Sequence, residues 1–318
     1  MTRLTFLLVC LCFMAGTPAD AVPMAASTGE ATPIPDAVIA DPARDAAHPA
    51  RNQQLLVPSH GEEMNALFLL AAGEGTHPTM LLLHGLPGNE QNLDLAQAIR
   101  RAGWNVLTLH YRGSWGSPGT FSMVHAIEDA GAALAFLRRP DVARQYGIDT
   151  ACLIIGGHSM GGLAAALQAG NDVATSPAAP LAGLVLIDTW NASLDGDALA
   201  AGGAEMRARF EASLDDFGHS LAGATPATIA DELVAHRREW NLVAIDNRLA
   251  AQPVLIVNAA EGGAPSLRPL VAAIRAAPGG TAHLVAEEMP TDHGFADHRI
   301  ALAAALVRWL GEMGRPAY

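Results

Sequence analysis

The sequence predicts an α/β fold, a mostly parallel central sheet flanked by helices, and three observations carry that prediction. Short apolar runs of strand length alternate with longer segments of helical pattern, as expected when helices form the crossovers of a parallel sheet. Glycine-rich turns stand where several of those runs end. Half of the 318 residues are hydrophobic, enough to bury a large core.

In chain order, Gln53 to Val57 and Ala66 to Ala71 read as an opening strand pair, both short and apolar-rich. Thr79 to Leu83 is a buried strand, Leu93 to Ala102 a helix, Trp104 to His110 the next strand, and Val124 to Arg138 another helix. Cys152 to Gly156 is a strand leading to a small-residue helix over Leu163 to Ala169, and Leu181 to Asp188 is again a strand. After Trp190 the alternation stops. Residues 190–247 carry helical, mixed-charge sequence, which reads as a cap inserted into the fold, with Leu199 to Phe210 and Ile229 to Trp240 as helices. Within it Met206, Phe210, Leu214, Phe217, Leu233 and Trp240 either face a pocket or form the cap's own core, and helical spacing favours the core. The alternation resumes with the strand Val254 to Ala259, the helix Leu267 to Ala276, the strand Ala282 to Ala286 and a closing helix Ala296 to Met313.

The start of the chain has a different composition. Arg3 precedes an apolar run from Leu4 to Ala15, too short to serve as a membrane anchor, and Ala19-Asp20-Ala21 has the small-x-small form of a signal-peptidase site. Residues 1–21 therefore read as an export signal and the protein as periplasmic or secreted, with no membrane anchor after cleavage. A buried N-terminal helix would leave the Ala-x-Ala site unexplained. Residues 22–51, rich in Ala, Pro, Asp and Thr without an apolar period, read as a flexible leader, and residues 52–318 as the folded unit. Cys10 and Cys12 fall within the signal, so Cys152 would be the sole thiol and no internal disulfide is expected.

Acidic residues outnumber basic ones 32 to 19, and every basic residue is arginine. The absence of lysine excludes a Walker-type phosphate lysine, a Schiff-base lysine and a lysine general base. A net charge of −13 argues against nucleic acid as a partner.

The residues suited to chemistry stand at strand ends. Gly157-His158-Ser159-Met160-Gly161 lies between a strand and a helical run, the setting of a nucleophile elbow. There Ser159 would take strained backbone angles while the glycines allow strand and helix to approach. A glycine-rich connection carrying an ordinary serine is the plainer reading of the five residues alone. His84-Gly85-Leu86-Pro87-Gly88 follows the strand Thr79 to Leu83, and its turn can present the Leu86 amide beside that of Met160, two donors for an oxyanion. His84 itself suits a structural role, bonding that turn. Among twelve histidines, His293 in Thr291-Asp292-His293-Gly294-Phe295 sits in the last strand-end loop, from which a general base can reach back to Ser159. His298 is the rival, more simply solvated or capping; the pair lacks the spacing and third ligand of a metal site, so no metal is expected.

With these motifs in view, the chain resembles the α/β-hydrolases, close to their dienelactone hydrolase and prolyl-oligopeptidase-like branch but without room for a propeller. Four segments carry the resemblance: residues 84–88, Tyr111-Arg112-Gly113-Ser114, residues 157–162 and residues 292–295. It implies a serine hydrolase needing no cofactor, acting on a small-molecule ester through an acyl-enzyme. A peptidase or amidase on the same machinery is the alternative, and a non-catalytic binding protein on the same fold a third reading. The family's acid normally follows the strand before the last, commonly as Asp; here that strand runs into Glu261, taken as the residue orienting His293. Asp188, ending the preceding strand, is the alternative acid. Asp292 ranks last because neighbours in an extended loop point apart. Arg112 is expected to pair with Glu128 and Asp129, holding the Tyr111 to Ser117 loop.

Overall fold

The computed structural model describes residues 33–176, 179–214 and 219–313. The expected export signal, most of the first part of the leader and Phe217 lie outside the described residues.

Eight strands form one sheet in the order β1-β2-β4-β3-β5-β6-β7-β8: β1 (Arg51–Ser59), β2 (Glu62–Leu70), β3 (His77–Leu83), β4 (Asn105–Leu109), β5 (Ile148–His158), β6 (Gly183–Ile187), β7 (Val254–Ala259) and β8 (Leu284–Met289). Only β2 runs opposite to the other strands, so its pairings with β1 and β4 are antiparallel; from β4 to β8 every pairing is parallel. The helices are α1 (Asp36–Ile39), α2 (Leu93–Arg101), α3 (Met123–Arg138), α4 (Pro140–Tyr146), α5 (Met160–Thr175), α6 (Ala192–Ser213), α7 (Pro226–His236), α8 (Asp246–Leu249), α9 (Ala264–Ala276), α10 (Gly280–His283) and α11 (Arg299–Met313).

Strand side chains alternate between two cores, as the two-residue period of a strand requires. From β3, Leu81 and Leu83 enter the core beneath α3, α5 and α9, while Met80 and Leu82 enter the one beneath α2 and α11. Strands β4 to β7 repeat this division; in β6, Leu184 and Leu186 face one side and Val185 and Ile187 the other. Because both faces are buried, these strands read in sequence as continuous apolar runs rather than alternating ones. The chain order reverses at β3, between β4 and β5, so the crevice beyond the carboxyl ends of β3 and β5 is the topological switch point at which open α/β sheets bind ligands.

The fold differs from the sequence expectation in a few places. The stretch assigned to the leader enters the fold before residue 52: Ala37 and Val38 pack on the second core and the Arg101 guanidinium donates to the carbonyls of both. Residues 280–283 are helical, so the last strand begins at Leu284 rather than Ala282. The closing helix starts at Arg299 rather than Ala296: residues 295–298 make a turn closed by His298 N donating to Phe295 O, and helical bonding opens with Leu302 N to His298 O.

Residues 190–247 form α6, α7, a short 3-10 turn and α8. Gly203, at φ 65° and ψ −161°, kinks α6. Leu214, Leu233 and Trp240 are buried, as the core reading required, whereas Met206 and Phe210 are only partly covered. The insertion is stitched to the loop after β4 by backbone bonds from Trp115 N to Ser220 O (3.0 Å), Phe121 N to Ala222 O (2.8 Å) and Ala222 N to Gly113 O (2.7 Å).

Candidate active site

Four strands deliver the candidate residues to one end of the sheet. Register pairs Leu83 with Gly157, His158 with Ile187 and Ile187 with Val257, so β3, β5, β6 and β7 end side by side. Ser159 occupies the turn between β5 and α5 at φ 56°, ψ −122°, a backbone conformation costly for a residue with a side chain. Small residues make the turn possible. A Cβ on Gly157 would stand 2.4 Å from backbone atoms of Gly161, and one on Gly161 would stand 2.3 Å from the Leu83 carbonyl oxygen.

The turn after β3 lies against Ser159: a Cβ on Gly85 would be 2.9 Å from Ser159 Cβ and 3.5 Å from its Oγ. Two bonds brace this turn from behind. His84 Nδ1 donates to Gly85 O at 2.7 Å and the Tyr111 hydroxyl donates to His84 O at 3.0 Å. Burial lowers the His84 pKa to about 4, so the ring is neutral and structural at ordinary pH. On the outer side, the Trp115 indole donates to Pro87 O at 2.7 Å. Among the described residues neither the Leu86 amide nor that of Met160, the first residue of α5, donates to a protein acceptor.

His293 lies in the loop between β8 and α11. Its Nδ1 is 2.5 Å from Asp188 Oδ2, and since a carboxylate only accepts, Nδ1 carries the proton and Nε2 is left as the basic nitrogen. The acid expected first, Glu261, is not the one that meets this imidazole. Its side chain is exposed, and its backbone amide is spent on Thr291 O. The physical reason lies in the turn after β7, which directs backbone amides onto the Asp188 carboxylate and leaves the Glu261 side chain exposed. Asp188 Oδ1 accepts from Ala259 N and Gly263 N, and Oδ2 also accepts from Gly263 N, each at 2.9 Å. A Cβ on Gly262 would fall 2.4 Å from Asp188 Oδ2. The Gly262-Gly263 pair was the available signal: two successive glycines after a strand suit backbone wrapping around a carboxylate supplied from elsewhere.

Asp292 accepts from Ala296 N at 3.0 Å and closes its own turn, while His298 pairs with Asp297 at 2.8 Å. Among the described residues no hydrogen bond joins Ser159 Oγ to His293, a separation common before substrate tightens such sites. Among them also, no cluster of three or more His, Cys, Asp or Glu side chains is arranged to hold a metal ion.

The expected scaffold around Arg112 forms. Its Nε and backbone amide donate to Asp129, at 2.5 and 2.8 Å, its Nη2 donates to Glu128 at 2.6 Å, and Ser59 Oγ adds a third bond to Asp129 at 2.5 Å.

Comparison with known proteins agrees with this architecture. The model of the alpha/beta hydrolase family matches residues 80–311, most of the chain, and the chain belongs to that family. It is thus an enzyme, a hydrolase. Among solved structures it is similar to EstE1, a thermophilic carboxylesterase cloned from a metagenomic library, at 20% identity over 85% of this chain and 91% of that one, with a TM-score of 0.59. It is also similar to a hyperthermophilic esterase from the archaeon Pyrobaculum calidifontis, at 17% identity over 84% and 88% of the two chains, TM-score 0.56. A puromycin hydrolase aligns at 19% identity over 86% of this chain but only 40% of its own, TM-score 0.58. At these identities the likenesses establish the fold. No curated protein matched the sequence.

Proposed function

We propose that the protein is a serine hydrolase of carboxylic esters, with Ser159 as nucleophile, His293 as general base and Asp188, in place of Glu261, as the acid that orients it. The observation that carries this reading is the His293 Nδ1 to Asp188 Oδ2 bond of 2.5 Å beside a serine held in a strained turn. Ser159 Oγ attacks the acyl carbonyl carbon as His293 Nε2 takes its proton. The carbonyl electrons move onto oxygen, where the Leu86 and Met160 amides stabilise the charge. His293 returns the proton to the leaving alkoxide, giving an ester of Ser159. Water, deprotonated by the same nitrogen, then releases the carboxylic acid and restores the serine.

Hydroxyl, imidazole, carboxylate and backbone amides suffice for these steps, so the reading requires no cofactor or metal. Its partner is a small-molecule ester, whose size the insertion at residues 190–247 would limit. A place in the dienelactone hydrolase and prolyl-oligopeptidase-like branch, and export directed by residues 1–21, are parts of the same proposal.

The test is a panel of nitrophenyl esters of increasing chain length run beside aminoacyl anilides, with Ser159→Ala as control and a fluorophosphonate as label. We expect ester turnover, an adduct on Ser159, and a loss of about 10^6-fold in kcat in the variant. Ester hydrolysis surviving in Ser159→Ala would overturn the mechanism; anilides cleaved faster than esters would make the enzyme an amidase.

A further inference from the structure

The loop that carries His293 is long enough to need anchoring, and its anchors are unevenly placed. Glu261 N donates to Thr291 O at 3.1 Å, Thr291 Oγ1 donates to Asp297 Oδ1 at 2.5 Å, and Phe295 is fully buried. At His293 itself one bond holds the main chain: His158 Nε2 lies 2.8 Å from His293 O. Among the described residues that carbonyl accepts from nothing else. The two imidazole rings also pack, with centroids 4.6 Å apart and planes tilted by 36°.

His158 is the residue before the nucleophile, so this contact links the β5 turn directly to the loop after β8, 135 residues later. A carbonyl only accepts, so Nε2 must carry the proton. The residue is 8% exposed. Burial chiefly, then the nearby His293 ring and last Arg299, push its pKa down to about 3, against the opposing pull of its bond to the His293 carbonyl and of Asp188. It therefore stays neutral while its neighbour becomes charged.

We propose that His158 is a positioning residue for the base: its Nε2–H fixes the main chain of His293, and its uncharged ring supports the imidazole, as His293 alternates between neutral and protonated forms. The inference rests on the function proposed above for Ser159 and His293. A neutral tether suits that cycle, because a second cation beneath His293 would oppose the imidazolium that forms when Ser159 loses its proton. A displacement of the base by about 1 Å can cost on the order of 10^2-fold in rate, so a bond that fixes its main chain has measurable kinetic value.

Two substitutions separate tethering from packing. His158→Leu removes the donor and keeps an apolar side chain; His158→Gln restores an amide donor. With rates divided by the number of sites that take up a fluorophosphonate, His158→Leu is expected to lose about 10^2-fold in kcat with KM within about twofold of wild type, and His158→Gln to recover most of it. A wild-type kcat per labelled site in His158→Leu would overturn the proposal, as would a Gln variant no better than Leu. Nitrogen-15 NMR of the wild-type protein at pH 6 supplies a measurement that needs no variant to fold: a neutral Nε2–H tautomer at His158 is expected, and an Nδ1–H or charged ring would overturn the tether. A wild-type protein that neither hydrolyses esters nor takes the label would instead overturn the proposed function, leaving the tautomer to report on the tether alone.

Discussion

At the scale of single residues, the site concentrates backbone strain. Ser159, Asp188 and Phe295 all have positive φ, at 56°, 37° and 54°, and they belong to the three loops that supply the proposed nucleophile, acid and base. Left-handed angles in residues with a Cβ persist only where surrounding bonds enforce them. At Asp188 those bonds come from the amides of Ala259 and Gly263, which both hold the carboxylate and compensate its complete burial. Glu261 has no such support, and the two acids should respond very differently to change. Asp188→Asn, which cannot accept from Nδ1–H through the amide nitrogen and favours the wrong imidazole tautomer, is expected to lower kcat by about 10^3- to 10^4-fold with KM little altered. Glu261→Gln is expected to stay within about twofold of wild type. Steady-state kinetics on a nitrophenyl ester read both, and equal losses would make Glu261 a partner of His293 after all.

The elements that hold these residues were legible in unequal degree. Strand β7 was read with the same limits the structure gives it, and β3, β5 and β6 to within a few residues, because a two-sided parallel strand is a short apolar run bounded by turn residues. The short helices α1, α4, α8 and α10 were not foreseen, since four to seven residues carry no period to read. That Asp188 rather than Glu261 bonds His293 is hard to read from sequence for a related reason: position along the chain identifies which loops meet, whereas the direction of a side chain within a tight turn depends on where its amides bond. The Arg112 network was legible because both carboxylates that its guanidinium meets lie on one helix, α3, at adjacent positions. Asp129 is fully buried and accepts from Ser59, Arg112 Nε and the Arg112 amide. Removing one member of such a buried ion pair typically costs about 3–5 kcal/mol because the other charge is left uncompensated. Asp129→Ala should therefore lower the urea unfolding midpoint without changing the m-value, and a variant with wild-type stability would show that the network contributes only local order to the loop after β4.

Across the whole molecule, the two core layers leave little room for charge, and the histidines they enclose stay neutral. His84 and His158 have pKa values lowered to about 4 and about 3, in both cases mainly by burial. Burial also lowers that of His110, which lies beside His84 with ring centroids 5.3 Å apart. In the unfolded chain each would titrate near 6.5. Between that value and the folded one, the unfolded state binds more protons, so stability rises with pH there. The contribution of each buried ring is fully present above about pH 6.5 and is lost as the solution is acidified toward pH 4 or 3. At pH 5, ring protonation in the unfolded chain alone costs about 2 kcal/mol for each of His84 and His158, or about 4 kcal/mol together. Most carboxylates are still ionised at that pH, so the two histidines should dominate the slope from pH 7 to 5. Urea unfolding at both pH values is expected to reveal a loss of about this size in the wild-type protein. Replacing His84 by Gln should remove about half of it, whatever the variant's stability at pH 7. A pH dependence unaltered by that substitution would mean that the ring beneath the Gly85 turn can take up a proton in the folded state, and with it that the turn beside Ser159 tolerates a buried charge.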